Sequence, residues 1–311
     1  MKEGIILSAA ADEGAAKETR PEQETYRSLL KKGALRLEKA GVPDAAWDAS
    51  LLLGWAGGPD RTHLPLFQNA AVSARVQERF TEGIRRRESR IPLQQIMENV
   101  CFMGVDFYVN EDVLCPRADT EVLTELALTV LTEKGNQSPR ILDLCCGSGC
   151  IGISLARLLP QAKVCLSDIS PRALAVARIN AEKNAVLDQV CFAQGDLTDA
   201  VTDDGKKLRS ENGDLPFDLI CCNPPYIPSR EIEGLMPEVR DHEPHLALDG
   251  GEDGLDFYRR LAKELRGATH ILLEIGCEQA EAVRRIFHEA GWDHVTVHRD
   301  LAGLDRVVRI Q

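Results

Sequence analysis

The sequence predicts an α/β protein: an open sheet preceded by a small helical domain and a β-hairpin linker. Three stretches carry that expectation. The run Phe217-Asp218-Leu219-Ile220-Cys221-Cys222 is short, apolar and without helical period, so it reads as a strand buried on both faces. Asn223-Pro224-Pro225-Tyr226 then stops it, because proline cannot continue the ladder. Ile141-Leu142-Asp143-Leu144 is a second buried strand, running into Gly147-Ser148-Gly149-Cys150-Ile151-Gly152 and a helix over 153–159. Residues 163–167 repeat the strand, end in Asp168 and feed a helix capped by Ser170 with Pro171 at its first position.

The remaining elements follow in order. Residues 1–22 are rich in Ala, Glu and Lys and read as a loose extension. Residues 23–94 have helical spacing, broken by turns at Gly41-Val42-Pro43-Asp44 and Gly57-Gly58-Pro59-Asp60, which gives about four or five helices. A helix over 75–90 carries Arg75, Arg79, Arg86 and Arg90 near one face, with Arg85 and Arg87 beside them. That face is either solvated or a docking surface for an anionic macromolecule. Within 95–117, Val100-Cys101-Phe102-Met103 and Asp106-Phe107-Tyr108-Val109 read as a hairpin joined through Gly104. The sheet domain is expected over 118–311, opening on a helix with apolar Val122, Leu123, Leu126 and Leu128. A third strand spans 190–194, and the polar stretch 200–214 reads as a surface loop. The glycine-rich run 246–254 is a turn, because its acidic spacing does not fit a calcium loop. A helix (255–265), a strand (271–275), a helix (278–290) and two strands (295–298 and 306–310) complete the domain.

Composition excludes several classes. The 311 residues are 44% apolar and 28% charged, ordinary for a globular protein and enough for about two domains. No apolar stretch approaches the ~18 residues that span a membrane, so no membrane partner is expected. The patch Ile5-Ile6-Leu7 is flanked by Glu3, Asp12 and Glu13, which speaks against a targeting peptide and makes the cytoplasm the expected compartment. Of ten cysteines, Cys145, Cys146, Cys165, Cys191, Cys221 and Cys222 lie in or beside apolar runs and read as structural thiols. No pair of C-x-x-C units exists, and no metal is expected. Residues 1–90 carry 15 Lys and Arg against 13 Asp and Glu, whereas the remaining 221 carry 22 against 36. An acidic sheet domain argues against nucleic acid as a direct substrate.

The candidate site is built on the strand ends. Gly147, Gly149 and Gly152 fit G-x-G-x-x-G, which alone suits a dinucleotide or any other nucleotide-like ligand. Asp143 shifts the balance, because a carboxylate at this strand end repels a pyrophosphate and favours a cation. S-adenosylmethionine, with a sulfonium, an ammonium and no phosphate, fits. Asp168 is placed to accept the ribose hydroxyls, and Asp196 is placed either at an adenine edge or in a plain turn. Asn223-Pro224-Pro225-Tyr226 suits N-methylation of a conjugated amine. If both N–H bonds of an amide donate to fixed acceptors, its nitrogen can pyramidalise towards an electrophile. The Asn223 side-chain oxygen and the Pro224 carbonyl are two such acceptors, and Tyr226 offers a face for a planar group. The alternative is a Pro-Pro turn with a core tyrosine.

With these pieces assembled, residues 26–311 resemble the release-factor glutamine N5-methyltransferases, the HemK-type family of class I S-adenosylmethionine enzymes. The resemblance rests on co-ordered motifs: Asp48-Ala49 before 51–53, Arg86-Arg87 ahead of Pro92, Pro116-Arg117 with Thr120-Glu121, and 143–152. It continues through Asp168, Asn223-Pro224-Pro225-Tyr226, Glu243-Pro244, Ala247-Leu248, Gly250-Gly251 and Gly254-Leu255. It implies a Rossmann-like seven-stranded sheet with an antiparallel last strand, a substrate-recognition role for 23–94, and methylation of the glutamine in the Gly-Gly-Gln loop of peptide chain release factors. It implies catalytic roles for Asn223, Pro224 and Tyr226, with Pro225 and Arg117 also meeting the substrate. Cofactor contacts would come from Asp143, Gly147, Gly149, Gly152, Asp168, Asp196 and Asn223. The chain departs from the family pattern at Ala118-Asp119, where Pro-Glu is usual, at Gln95-Ile96-Met97-Glu98, where Tyr-Ile-x-Gly is common, and at His242, which replaces a tyrosine. Two other readings are an N-methyltransferase of exocyclic base amines in DNA or RNA, and a non-catalytic cofactor-binding adaptor docking through 75–90.

Overall fold

The structure is a computed structural model that describes residues 23–133, 135, 138–200, 202–203, 206–207, 217–265 and 268–311. The extension expected over 1–22 and most of the loop expected over 200–214 lie outside the described residues. The chain divides between Arg85 and Arg86 into two compact units.

The first unit is helical: α1 (Tyr26–Lys39), α2 (Ala45–Trp55), α3 (Leu64–Phe67) and the greater part of α4 (Ala74–Glu88). Thr25 and Ser28 form a reciprocal capping box that satisfies two N–H groups at the start of α1. Leu29, Leu37, Leu52, Leu53, Phe80 and Ile84 are buried. Arg79 lies 4.2 Å over the Trp55 ring. The expected arginine face is therefore divided. The helix ends at Glu88, and Arg90 follows it with a left-handed φ of 63°.

Within the second unit Arg87 and Arg90 converge on Glu238, at 2.8 and 2.6 Å. Burial alone would raise the Glu238 pKa, but the hydrogen bonds from Arg90 and Arg87 hold it at about 2. After α5 (Leu93–Met97), β1 (Val100–Phe102) and β2 (Val105–Phe107) pair antiparallel, Val100 opposite Phe107. Met103 and Gly104 both take positive φ, 51° and 71°, which matches the twist of a two-residue hairpin and starts β2 one residue earlier than expected.

The sheet domain runs α6 (Ala118–Glu133), β3 (Arg140–Leu144), α7 (Cys150–Leu158), β4 (Lys163–Asp168), α8 (Pro171–Lys183) and β5 (Val190–Gln194). Then come a short ladder, β6 (Thr202–Asp203) and β7 (Lys206–Lys207), and β8 (Leu219–Cys222). The chain continues through α9 (Pro237–Arg240), α10 (Asp256–Glu264), β9 (Ile271–Glu274), α11 (Ala280–Glu289), β10 (Val295–Arg299) and β11 (Asp305–Ile310). Seven strands form one sheet in the order β10-β11-β9-β8-β3-β4-β5, with β11 antiparallel to both neighbours and the others parallel where they meet.

Period-two alternation splits the core. Ile141, Val164, Leu166, Leu219 and Cys221 pack with α6, α7 and α8. Leu142, Leu144, Ile220, Cys222 and Leu273 pack with α10 and α11. All ten cysteines are free thiols, six of them buried, and Cys221 and Cys222 enter opposite layers. Among the described residues no helix is long and apolar enough to cross a membrane.

Candidate active site

β3 connects to β4 on one side, while β8 lies on its other side. The strand order thus reverses between β3 and β8, and in open α/β sheets ligands bind at the carboxyl ends beside such a point. A cavity of about 340 Å³ opens there, lined among others by Arg117, Gly147, Asp168, Asp196, Asn223 and Pro225. Its size falls in the range of small-molecule sites.

Asp168 closes β4 and is anchored by the backbone: Gly147 N–H donates to its Oδ2 and Ser170 N–H to its Oδ1, both at 2.9 Å. Burial raises its pKa, and these bonds oppose the rise. Asp196 also reaches the wall, where it pairs with Arg260 at 3.0 Å. Sequence reasoning did not single out Arg260.

Asp143 is 0% exposed and lies beneath the glycine turn, not on the cavity wall. Its Oδ2 accepts from Gly152 N–H at 2.9 Å, while its Oδ1 has no hydrogen-bond partner among the described residues. Burial pushes its pKa up to about 7; the Gly152 bond opposes this and the Asp168 charge adds to it. Gly152 and Gly149 are also off the wall. Any Cβ on Gly152 would collide with Leu166 of β4, so this glycine serves the approach of helix to strand. Gly147 has φ 52° and open space where a Cβ would project.

Asn223 follows β8 directly and lies on the wall; its Nδ2 donates to Thr120 Oγ1 at 3.4 Å. Pro224 is buried behind it, and Pro225 lines the cavity. Tyr226 is off the wall, packed against the α10–α11 layer, with its hydroxyl 3.4 Å from Glu274 Oε1. The glycine-rich turn braces this loop: Ile227 N–H donates to Leu248 O at 3.0 Å and Gly250 N–H to Ile227 O at 2.9 Å. Gln279 Nε2 donates to both Tyr226 O and Gly254 O, at 2.8 and 3.2 Å.

Arg117 is held on the wall by Glu243, at 2.7 Å, and Glu243 also accepts from Cys115 N–H at 3.2 Å. Two departures from the family pattern meet, because Gln95 Nε2 donates to the His242 carbonyl at 3.0 Å. The sequence reading missed Glu274 altogether. It ends β9, is 1% exposed, and burial raises its pKa to about 7. Its Oε2 has no donor in hydrogen-bonding geometry among the described residues, although the Thr120 hydroxyl favours its ionised form. The signal that could have found it is the one that marked Asp143 and Asp168, a lone carboxylate closing an apolar strand.

The sheet order and reversed β11 are those of a class I methyltransferase. The Methyltransferase small domain family matches residues 116–238 and the PrmC N-terminal domain family residues 28–97. The hMettl16 catalytic domain superposes with a TM-score of 0.50 over 67% of this chain and 76% of that one, at 14% identity, a likeness of fold. Release factor glutamine methyltransferase of Geobacter sulfurreducens is 38% identical over 93% of this chain and 97% of its own length. The namesake of Moorella thermoacetica is 40% identical over 91% and 96%, and that of Clostridium acetobutylicum 37% identical over 84% and 89%. The chain belongs to the release factor glutamine methyltransferase family.

Proposed function

We propose that this protein transfers the methyl group of S-adenosylmethionine to the side-chain amide nitrogen of the glutamine in the Gly-Gly-Gln loop of peptide chain release factors. The observation that carries the reading is Asn223, a carboxamide on the cavity wall at the carboxyl end of β8, stiffened by two prolines and braced by the glycine-rich turn.

The residues present suit the cofactor. Asp168 offers a carboxylate whose backbone bonds hold it in place for ribose hydroxyls. Asp143 supplies a buried negative charge with an unpartnered oxygen beneath the turn, which favours a cationic ligand. Bound S-adenosylmethionine supplies an electrophilic methyl group. The protein's part is orientation: Asn223 oxygen accepts one N–H of the substrate amide and the Pro224 carbonyl the other. The substrate nitrogen is then free to pyramidalise. No residue acts as an obligatory base, because the product amide loses its proton to water after transfer.

The role of the helical residues 23–94 is docking of the release factor, and Arg117 contributes to the substrate side of the wall. A release-factor substrate supports the cytoplasm as the enzyme's compartment. Carboxylates on the wall and the acidic charge balance of residues 91–311 disfavour a nucleic-acid substrate. The test is transfer of labelled methyl to purified release factor, compared with its loop Gln→Ala variant, duplex DNA and ribosomal RNA. Label on the wild-type factor alone supports the reading; label on nucleic acid, or on the Gln→Ala variant, overturns it.

A further inference from the structure

We propose that Asn180 is a positioning residue that joins the exit of the β1–β2 hairpin to the glycine turn of the cofactor site. Through this one side chain, occupation of the cavity reaches Tyr108, which does not line it. The proposal rests on S-adenosylmethionine as the ligand of the cavity and is independent of the methyl acceptor.

Asn180 stands on α8 and is 0% exposed. Its Oδ1 accepts from Tyr108 N–H at 2.6 Å, and its Nδ2 donates to Tyr108 O and Ser148 O, both at 2.9 Å. A carboxamide has one acceptor oxygen and two N–H donors, so both protons of this group are used. Rotating the amide by half a turn would set its oxygen against two carbonyls, so the partners fix its orientation. An ionised aspartate has no donor and a hydroxyl only one, so neither could make the same three bonds.

The two ends of this tie lie in different parts of the site. Ser148 is on the cavity wall between Gly147 and Gly149, whose φ angles are 52° and 78°. Rotation of the peptide between 148 and 149 changes φ of Gly149, and glycine accepts either sign, so backbone preference does not hold that peptide. Two bonds hold it: Gly149 N–H donates to Cys146 O at 2.7 Å, and Asn180 donates to Ser148 O. Gly147 in turn gives its N–H to Asp168, the carboxylate placed for the ribose. At the other end, Tyr108 follows β2 and opens a segment that crosses α8. Val109, Val113 and Cys115 of that segment pack on Ala173 and Val176. Ala173, Val176 and Asn180, spaced by three and four, share one side of the helix. The segment then supplies Val113, Leu114, Pro116 and Arg117 to the cavity wall. Asn180 thus fixes both the glycine turn and the start of the opposing wall. Asn184, one turn further along, is the contrast. Its Nδ2 donates to Asp106 O at 3.4 Å and to Asn180 O at 3.0 Å, and to no group of the glycine turn.

The experiment titrates the full chain, isotopically labelled at its tyrosine nitrogens, with S-adenosylmethionine. NMR follows the backbone N–H signals of the four tyrosines, and calorimetry gives Kd. The Tyr108 signal is the one absent from Y108F. In wild type it should move as the cavity fills. N180L keeps the shape and loses all three bonds, and N180D, keeping only the acceptor, is the second variant. In both, the Tyr108 signal should stay in place, and Kd should rise roughly tenfold, the factor for about 1.4 kcal/mol. N184A should keep the wild-type Kd and the wild-type movement of Tyr108. A Tyr108 signal that does not move in saturated wild type overturns the proposal without any variant. Undiminished movement or a wild-type Kd in N180L or N180D overturns it too. So does loss of the movement in N184A, because the linkage would then belong to the helix as a whole. None of these outcomes involves release factor. If the pattern holds while release factor stays unlabelled, the proposal stands and the substrate assignment falls; if wild type takes up no S-adenosylmethionine, the cofactor reading falls and the proposal with it.

Discussion

A Cβ on Gly250 would lie 2.8 Å from the Cα of Tyr226. The glycine-rich turn, which the sequence marked only as a turn, is thus the backing plate of the Asn223-Pro224-Pro225-Tyr226 loop. A side chain at 250 would push the loop towards the cavity.

Gly250→Ala should accordingly destabilise the protein by about 1–3 kcal/mol, the usual cost of overpacking a tight contact. Turnover should fall by more than cofactor affinity, because Asp168 is anchored separately by Gly147 and Ser170. Thermal unfolding and calorimetry check both parts. An unchanged Tm would mean that the loop has room to retreat.

Asp168→Ala removes charge-assisted bonds to the ribose hydroxyls, worth about 1.5–3 kcal/mol. S-adenosylmethionine should bind roughly ten- to a hundredfold more weakly. Calorimetry that returns the wild-type Kd would take Asp168 out of the cofactor site.

Asn223→Ala should lower kcat by about a hundred- to a thousandfold, by analogy with loss of an oxyanion-hole donor. Cofactor affinity should stay near wild type. Single-turnover kinetics on release factor separate the two effects, and a parallel loss of both would make Asn223 a cofactor or folding residue.

Asp143 and Glu274 both have folded pKa values raised to about 7 by burial. Each binds its proton more tightly in the folded state than in the unfolded state, so neither costs stability below the ordinary carboxylate range of about 4. The cost appears as pH rises from there and is complete above about 7. Without cofactor, the two groups should therefore make the protein less stable at pH 8 than at pH 5.5. Combining D143N with E274Q should shrink that difference in Tm, and an undiminished difference would assign the pH dependence to other groups.

A fragment comprising residues 86–311 should fold and bind S-adenosylmethionine, since Asp143, Asp168 and the cavity lie inside the second compact unit. Starting later than Arg87 would remove the buried guanidinium partner of Glu238 and leave it only the half-buried Arg90. The fragment should lose roughly tenfold or more in kcat/KM on intact release factor, about 1.4 kcal/mol of docking. Equal kcat/KM for fragment and full chain would refute a docking role for the helical residues.

What the sequence determined by itself was local. Ser170 accepting from Ala173 N–H and Pro171 at the first helical position set the start of α8, and the helix spans Pro171–Lys183 as its cap and pattern require. The apolar runs of β3 and β8 announced strands buried on both faces, those of β4 and β5 announced two further strands, and the carboxylates at the ends of β3 and β4 announced a site. The tertiary structure decided which distant groups share that site. Arg117 meets Glu243 across 126 positions and Arg90 meets Glu238 across 148. Thr120 comes beside Asn223 across 103, and Tyr226 reaches Glu274 across 48. No periodicity encodes such partners, because they are brought together by the order of strands in the sheet, and that order is settled by packing of whole layers. The same reason moved Asp143 beneath the cavity: a strand buried on both faces carries its side chains into the core. A carboxylate there acts on a ligand through its charge, in a place that only the folded sheet defines.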